Sequence, residues 1–296
     1  MEVASVGAGS LNLRQRIGAY LALTKPRIIE LLLITTLPSM VLAAQQWPGT
    51  WLVLATLIGG TLSAGGANAL NSYFDRDIDR TMRRTSRRPL PQQRVEPERA
   101  AMFGVGLAVL GLIWLGLTVN WTAAVISTAA VVFYVWVYTL ALKRSTVQNI
   151  VIGGAAGAAP VLVGWAAVQG ALALPAWVLA AIVFYWTPPH FWALALRFRE
   201  DYEAAGVPML PVVKGVEATT RQILVYSGVL VLVSLLLVPA AGMGWIYLGA
   251  AVGLGAWFVY QAWMVRRHPE RAMKLFSAST FYLTALFAAV MVDVLV

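Results

Sequence analysis

Nine long apolar stretches separated by polar connections constrain the fold of this chain more than any other feature of its sequence. Each stretch has about 19–23 residues, which at about 1.5 Å per residue is enough to cross a hydrocarbon core roughly 30 Å thick. The strand-like alternation that a membrane β-barrel requires is missing. The sequence therefore predicts an all-α integral membrane protein. The predicted spans are residues 28–46, 51–71, 101–119, 122–142, 147–168, 174–196, 222–241, 244–264 and 276–296.

The composition agrees with this class. Only 12% of the residues are charged and 59% are hydrophobic, whereas a soluble domain has about 25% charged residues. The chain contains no cysteine, which excludes disulfides, thiolate nucleophiles and cysteine-ligated metals. Its net charge of +9 is attributed to basic loops on one side of a membrane, and we predict no nucleic-acid partner.

The basic residues predict the topology. Alternate connections contain every Lys and Arg of the chain, and the connections between them contain none. With nine spans, this asymmetry predicts a cytoplasmic N-terminus and an outside C-terminus. We predict a cytoplasmic segment, residues 1–27, and one membrane domain, residues 28–296. Two long cytoplasmic loops, 72–100 and 197–221, are expected to cap the active site, because long loops in compact proteins are usually functional.

A stripe of oxygen ligands follows the second predicted span. Asn71, Asp75 and Asp79 are four residues apart and share one face of a helix, whereas Asp77 points elsewhere. Carboxylate and amide oxygens suit Mg²⁺. The alternative is a solvated helix end, with Asp79 paired to Arg83.

Six arginines lie between or directly after these acids. Carboxylates that hold a metal, beside guanidinium groups that bind phosphate oxygens, form the combination that a Mg²⁺-diphosphate needs. The alternative is contact with anionic lipid headgroups. The arginines are Arg76, Arg80, Arg83, Arg84, Arg87 and Arg88.

Two further polar clusters lie on the same predicted side of the membrane. Arg197 and Asp201 are four residues apart at the end of the sixth span. We predict Asp201 to be an additional metal or water-shell ligand; the alternative is a simple Arg197–Asp201 pair. Lys143 and Arg144 follow the fourth span, where they bind substrate or anchor the helix at the cytoplasmic face.

The first and sixth spans each contain one unusual polar residue. Lys25 and Arg27 precede the first span, and Glu30 lies one turn inside it, where an acid is costly and indicates function. His190 follows a Pro-Pro pair that is expected to distort the sixth helix. Such a histidine binds haem iron, bonds a carboxylate, or is a satisfied core residue.

Together these residues resemble a known family. Asn71-x3-Asp75-x3-Asp79 after the second of nine spans is similar to the first Asp-rich motif of the UbiA-type intramembrane prenyltransferases. The strings TKPR, NSYFDRDIDRTMRRTSRRPLP, TPPHFWALAL and DYEAAGVPMLPVVKG resemble one branch of it, the protohaem IX farnesyltransferases or haem O synthases. Many relatives have several aspartates in a second motif. Here that stretch reads Arg197-x3-Asp201, so arginine is expected to take over part of the phosphate contact.

The resemblance implies a UbiA-type bundle in the cell membrane, with its active site facing the cytoplasm. It implies transfer of a farnesyl group from farnesyl diphosphate to a vinyl group of haem b, with addition of water, giving haem O and diphosphate for haem–copper oxidase maturation. Mg²⁺ is the implied cofactor and haem b a substrate. The lipid bilayer is the implied surrounding, and a downstream haem-modifying enzyme an implied partner.

The resemblance also assigns roles to the candidate residues. The metal ligands are Asn71, Asp75, Asp79 and Asp201, with Lys143 as a further catalytic residue. Aromatic faces stabilise the allylic cation. The substrate-binding residues are the six arginines above together with Arg144, Arg197, Tyr73, Tyr138, Lys25, Arg27, Glu30 and His190.

Three other functions are alternatives to this one. The first is a UbiA-type prenyltransferase with an aromatic or quinone-precursor acceptor. The second is a secondary transporter, which predicts charges deep within the spans; only Glu30 comes near this. The third is a haem-binding membrane subunit, whose bis-histidine ligation needs a pair of buried histidines, and only His190 qualifies.

Overall fold

The computed structural model describes residues 12–296, except the side chains of residues 28 and 30–33. All regular structure in this part of the chain is helical, and one 3₁₀ turn, Pro269–Arg271, precedes the last helix. The helices are α1 (Leu13–Thr24), α2 (Pro26–Ala44), α3 (Thr50–Phe74), α4 (Arg76–Thr81), α5 (Pro97–Thr118), α6 (Trp121–Leu142), α7 (Asn149–Gln169), α8 (Leu174–Arg197), α9 (Arg199–Ala204), α10 (Leu210–Val213), α11 (Gly215–Ala241), α12 (Trp245–Arg267) and α13 (Ala272–Leu295).

Eight helices of the described part are long and apolar enough to cross a membrane, namely α3, α5, α6, α7, α8, α11, α12 and α13. They match the second to ninth predicted spans. The largest difference is at α11, which begins at Gly215 rather than at 222 because its first two turns are helical but polar. Helix α2 coincides with the first predicted span. Because part of α2 lies outside the described side chains, the count of nine spans stays a prediction. The orientation of the termini also stays a prediction, since the helix bounds do not test it.

The N-terminal segment packs onto the membrane domain. Helix α1 begins with a capping box, in which the Gln15 amide donates to Asn12 Oδ1 at 2.9 Å and the Asn12 amide donates to Gln15 Oε1 at 3.0 Å. Its buried residues Ala19 and Leu23 join a cluster with Ala69 of α3. The predicted boundary at residue 27 is therefore not a gap in packing. Residues 1–11 of that segment lie outside the described part.

Small residues let the helices approach closely. Helix α7 contacts α2, α6 and α8, and its Gly164 and Gly154 face Thr36 and Thr187 respectively. A methyl group on Gly66 of α3 would lie 2.6 Å from the carbonyl oxygen of Gly104 of α5. Association of membrane helices depends on such close packing, because lipid tails are as apolar as the side chains.

We predict that Gly66→Ala destabilises the bundle, because the new methyl group meets backbone atoms of α5 that cannot rotate away. Overpacking of this kind costs about 1–3 kcal/mol. The control is Gly60→Ala on the same helix, where a methyl group meets no atom within 4 Å. Thermal unfolding of both variants in detergent measures the effect; equal midpoints for the two would contradict the predicted contact.

Candidate active site

The acidic stripe lies at the junction of α3 and α4. Asp75 is a single turn residue between them, yet the helical hydrogen bonds continue through it, from the Asp75 amide to Asn71 O and from the Asp79 amide to Asp75 O. Asp75 and Asp79 are 1% and 2% exposed, whereas the Asp77 side chain is 60% exposed. The spacing thus separates two buried carboxylates from a surface one.

Each member of the stripe is paired with a cation from a different part of the chain. Lys143 Nζ, after α6, lies 2.5 Å from Asp75 Oδ2. Arg88 Nη1, in the loop after α4, lies 3.0 and 2.8 Å from the two oxygens of Asp79. Lys25 Nζ, before α2, donates to Asn71 Oδ1 at 2.6 Å. The alternative Asp79–Arg83 pair does not form, and Arg83 is exposed.

Asp77 forms the outer part of this charge cluster. Arg144 Nη1 and Nη2 donate to its two oxygens at 2.6 and 2.7 Å. This pairing lowers the pKa of Asp77 to about 2 and raises the pKa of Arg144. Burial lowers the pKa of Lys25 to about 7, and the charge of Arg88 acts in the same direction. Lys25 is therefore held in a less polar setting than the outer Asp77–Arg144 pair.

Thr139 is a site residue that the sequence reasoning missed. The last turns of α6 are π-helical, so the Thr139 hydroxyl donates to Tyr134 O at 2.8 Å and the Lys143 amide donates to Tyr138 O at 2.8 Å, both five residues back. The single hydroxyl proton of Thr139 is thereby used. Its oxygen accepts from Asn71 Nδ2 at 3.0 Å.

The orientation of the Asn71 amide follows from this contact. Nδ2 donates to Thr139 and, at 2.8 Å, to Asp75 Oδ2. The flipped amide would place Oδ1 against two oxygens without a proton between them. Asn71 Oδ1 must therefore face the Lys25 ammonium group. An oxygen that points at a cation in this way is also oriented to bind a metal ion. No sequence motif signals Thr139, although π-helical turns are frequent at functional sites.

The stripe fits a divalent cation by its donor chemistry. Asp75 Oδ1 is buried and has no hydrogen-bond partner in the described part of the chain. Arg144 Nη2 lies 3.9 Å from it, beyond hydrogen-bond distance. An unsatisfied buried carboxylate oxygen calls for a cation. No three His, Asp or Glu side chains of the described residues form a group with metal-site geometry, so Asn71 and retained waters would have to complete the ligand set.

The cluster of Arg197 and Asp201 lies near the loop between α4 and α5, residues 82–96, which we call the arginine loop. Asp201 Oδ2 accepts a hydrogen bond from the Arg84 amide at 3.2 Å. The Arg84 guanidinium lies 5.6 Å from the Phe198 ring. Arg197 is exposed, and no Arg197–Asp201 pair forms in the described structure. Asp201 therefore connects the loop after α8 to the loop after α4, and it has no direct contact with the buried carboxylates in the described residues.

The remaining predicted residues surround this centre. Arg76 lies over the Tyr73 ring at 4.5 Å and donates to Tyr73 O. Tyr138 stacks on Tyr134, a second tyrosine that the sequence reasoning missed, with ring centroids 5.4 Å apart. The other predicted cations of this group are exposed, and they are Arg27, Arg80 and Arg87. The side chain of Glu30 lies outside the described part.

His190 lies in the interior of the bundle. Helix α8 runs without interruption through Pro188 and Pro189, so the expected distortion does not break it. The imidazole is 7% exposed and hydrogen-bonded to Ser279 of α13. It is therefore separated along α8 from the charged clusters, which lie near the Arg197 end of this helix.

Comparison with known proteins relates this chain to one family. The sequence profile of the UbiA prenyltransferase family matches residues 32–289. A protein of Parafrankia sp. (strain EAN1pec) named protoheme IX farnesyltransferase is 55% identical, over 93% of this chain and 89% of its own. A protein of the same name from Clavibacter sepedonicus is 52% identical, over 96% of this chain and 94% of its own.

Solved structures share the fold. A structure of digeranylgeranylglyceryl phosphate synthase superposes with a TM-score of 0.77 at 20% identity, covering 94% of this chain and 98% of its own. A UbiA homolog from Archaeoglobus fulgidus, bound to DMAPP and Mg²⁺, gives 0.69 at 15% identity, covering 93% and 99%. With a matching profile over most of its length, this chain belongs to the UbiA prenyltransferase family, a family of multi-pass membrane enzymes.

Proposed function

We propose that this protein transfers the farnesyl group of farnesyl diphosphate to a vinyl group of haem b. Water adds in the same reaction, and the products are haem O and diphosphate. The observation that carries the proposal is the buried Asp75–Asp79 pair enclosed by Lys25, Arg88 and Lys143. Carboxylates and cations interleaved in this way suit a metal-bound diphosphate. The relatives' name supplies the acceptor.

The diphosphate binds at the cytoplasmic end of the bundle. Asn71, Asp75 and Asp79 would hold Mg²⁺, which supplies positive charge to the diphosphate oxygens. Arg88 and Lys143, which pair with the carboxylates in this structure, exchange those contacts for phosphate oxygens. As the allylic C–O bond breaks, they stabilise the negative charge that collects on the leaving diphosphate. Asp201 contributes a water-shell contact from the second loop.

The apolar parts of both substrates lie on the membrane side of this charge cluster. The stacked faces of Tyr134 and Tyr138 stabilise the allylic cation. The vinyl carbon of haem b attacks the farnesyl carbon, and water adds to the resulting cation. No protein nucleophile takes part, in accord with a chain that contains no cysteine. Exposed arginines at the same end, such as Arg83 and Arg87, pair with the porphyrin carboxylates.

The setting follows from topology and from the acceptor. The basic loops support a site at the cytoplasmic face of the cell membrane. The product enters haem–copper oxidase maturation, so an enzyme that modifies haem further is the expected downstream partner. An aromatic or quinone-precursor acceptor is the second candidate, because the family match by itself does not specify the acceptor.

The product assay tests the acceptor. We expect purified protein with farnesyl diphosphate, haem b and Mg²⁺ to give a haem of greater mass that elutes later in reversed-phase chromatography. Farnesyl diphosphate with 4-hydroxybenzoate is the matched comparison and should give no prenylated product. Turnover of 4-hydroxybenzoate without a new haem would replace this proposal by the second candidate.

The buried carboxylates are expected to be indispensable. We predict that Asp75→Asn and Asp79→Asn each lower turnover about 100-fold or more and abolish its dependence on Mg²⁺, since charge-stabilising groups are worth this much. The matched control is Asp77→Asn on the same helix, whose exposed pair with Arg144 is worth at most about fivefold. Steady-state kinetics with a Mg²⁺ titration measures both. Equal losses for Asp75→Asn and Asp77→Asn would count against the site.

Thr139 is expected to act through Asn71. Thr139→Val removes the acceptor of the Asn71 amide, which costs about 1–3 kcal/mol for a buried group. We predict a loss of about tenfold in kcat/KM, which lies within that range, and a higher Mg²⁺ concentration at half-maximal rate. Thr139→Ser keeps the hydroxyl and should retain activity. A valine variant as active as the serine variant would exclude this role.

A further inference from the structure

His190 is held on both faces by aromatic rings. The chain has two histidines, and His268 lies in a polar loop with its side chain 54% exposed. Trp186, one turn earlier on α8, stacks on the His190 ring, with ring centroids 4.3 Å apart and an angle of 22° between the ring planes. Phe276 of α13 also stacks on the His190 ring, with ring centroids 4.3 Å apart and an angle of 27° between the ring planes. Two parallel rings at this distance must cover opposite faces, so only the edges of the imidazole remain open.

One edge of the ring is fixed by Ser279 of α13. His190 Nδ1 lies 2.7 Å from Ser279 Oγ, which itself lies 2.7 Å from Phe276 O. The hydroxyl has one proton, and its contact with a carbonyl oxygen requires that proton. The proton of the other contact must therefore come from the imidazole. Nδ1 is therefore protonated and donates, and in the neutral imidazole Nε2 carries the lone pair.

Ser279 is itself held in place. Trp186 Nε1 donates to the Ser279 carbonyl oxygen at 2.7 Å, so the same indole both stacks on the ring and anchors its partner. Nε2 has no hydrogen-bond partner in the described residues. It is also absent from the fully buried polar atoms without a partner, so it is accessible from outside the protein atoms. A neutral imidazole with Nδ1–H donated to an oxygen and Nε2 left open is the arrangement of a metal-ligating histidine.

The position of His190 relates this ring to the second substrate. It lies seven residues before Arg197 on a continuous helix, or about 10 Å below the cytoplasmic end of α8 at about 1.5 Å per residue. Arg84, Asp201 and the other charged groups of the site lie at that end. A flat apolar ligand with anionic groups on one edge and a metal at its centre matches this separation.

We infer that His190 Nε2 is an axial ligand of the iron of the haem acceptor, with Ser279 as the residue that positions the imidazole. The inference rests on the proposed function for the identity of the acceptor. It gives the acceptor's iron, rather than only its carboxylates, a contact with this chain. It also explains why a polar ring is placed in an apolar helix interface, where a leucine would pack without a partner.

The test is equilibrium binding of ferric haem b and of iron-free protoporphyrin IX to the full-length protein in detergent. We expect His190→Ala to weaken haem b binding about tenfold or more and to shift the Soret band, as loss of a metal contact does. Protoporphyrin IX affinity should stay unchanged. Added imidazole should restore the wild-type spectrum of His190→Ala. Ser279→Ala should weaken haem b binding in the same direction, and His268→Ala is the matched control that leaves both affinities unchanged.

The possible results separate the inference from the proposed function. Equal loss of haem b and protoporphyrin IX affinity in His190→Ala means a packing role only and overturns the inference. An unaltered haem spectrum in His190→Ala overturns it as well, while haem farnesylation by the wild type leaves the proposed function intact. A wild-type protein that binds neither porphyrin overturns the inference together with the haem acceptor, and the aromatic-acceptor alternative then takes its place.

Discussion

The pairing of two buried carboxylates with cations from distant parts of the chain is the interaction on which this structure depends. Asp75 and Asp79 are almost fully enclosed, and an ionised carboxylate in such a place costs several kcal/mol unless it is paired. Lys143 and Arg88 supply the opposite charge, and each comes from a different connection between helices. Breaking such a pair typically costs about 3–5 kcal/mol, because the other charge stays buried. The pairs therefore hold α4, the end of α6 and the arginine loop in one arrangement.

The same pairs leave oxygen atoms that a bound cation could contact. Asp75 Oδ1 is left without a donor, and Lys25 occupies the Asn71 oxygen. A ligand that brings both positive metal and negative phosphate lets every partner be exchanged without leaving a charge unpaired. The bundle supports this chemistry by close packing. Gly66 and Gly104 bring α3 against α5 at backbone distance, so the helix that carries the stripe is held along its length. The charged end is thus carried by a closely packed pair of helices.

Much of the fold and part of the site followed from local pattern. Hydropathy located the helices, since twenty apolar residues have few alternatives in a bilayer, and it failed where a helix extends beyond the membrane, as at α11. Helical spacing separated Asp75 from Asp77, as the exposures show. The same reasoning could not choose among six arginines. Arg88 rather than Arg83 pairs with Asp79 because the chain turns back after α4, and turns of that kind are decided by packing that spacing does not encode.

The sequence by itself determined a helical membrane protein, with a stripe of oxygen ligands beside a basic loop, because these depend on periodicity and charge within one segment. Only the tertiary structure decided which groups meet. Thr139 orients Asn71 from a helix that lies 68 residues further along the chain. Ser279 fixes His190 from one that lies 89 residues further along. Both contacts need a helix register and a rotation set by many packing contacts at once. The direction of each hydrogen bond also depends on where the hydroxyl proton points. In Thr139 it points to the carbonyl oxygen of Tyr134, and in Ser279 to that of Phe276.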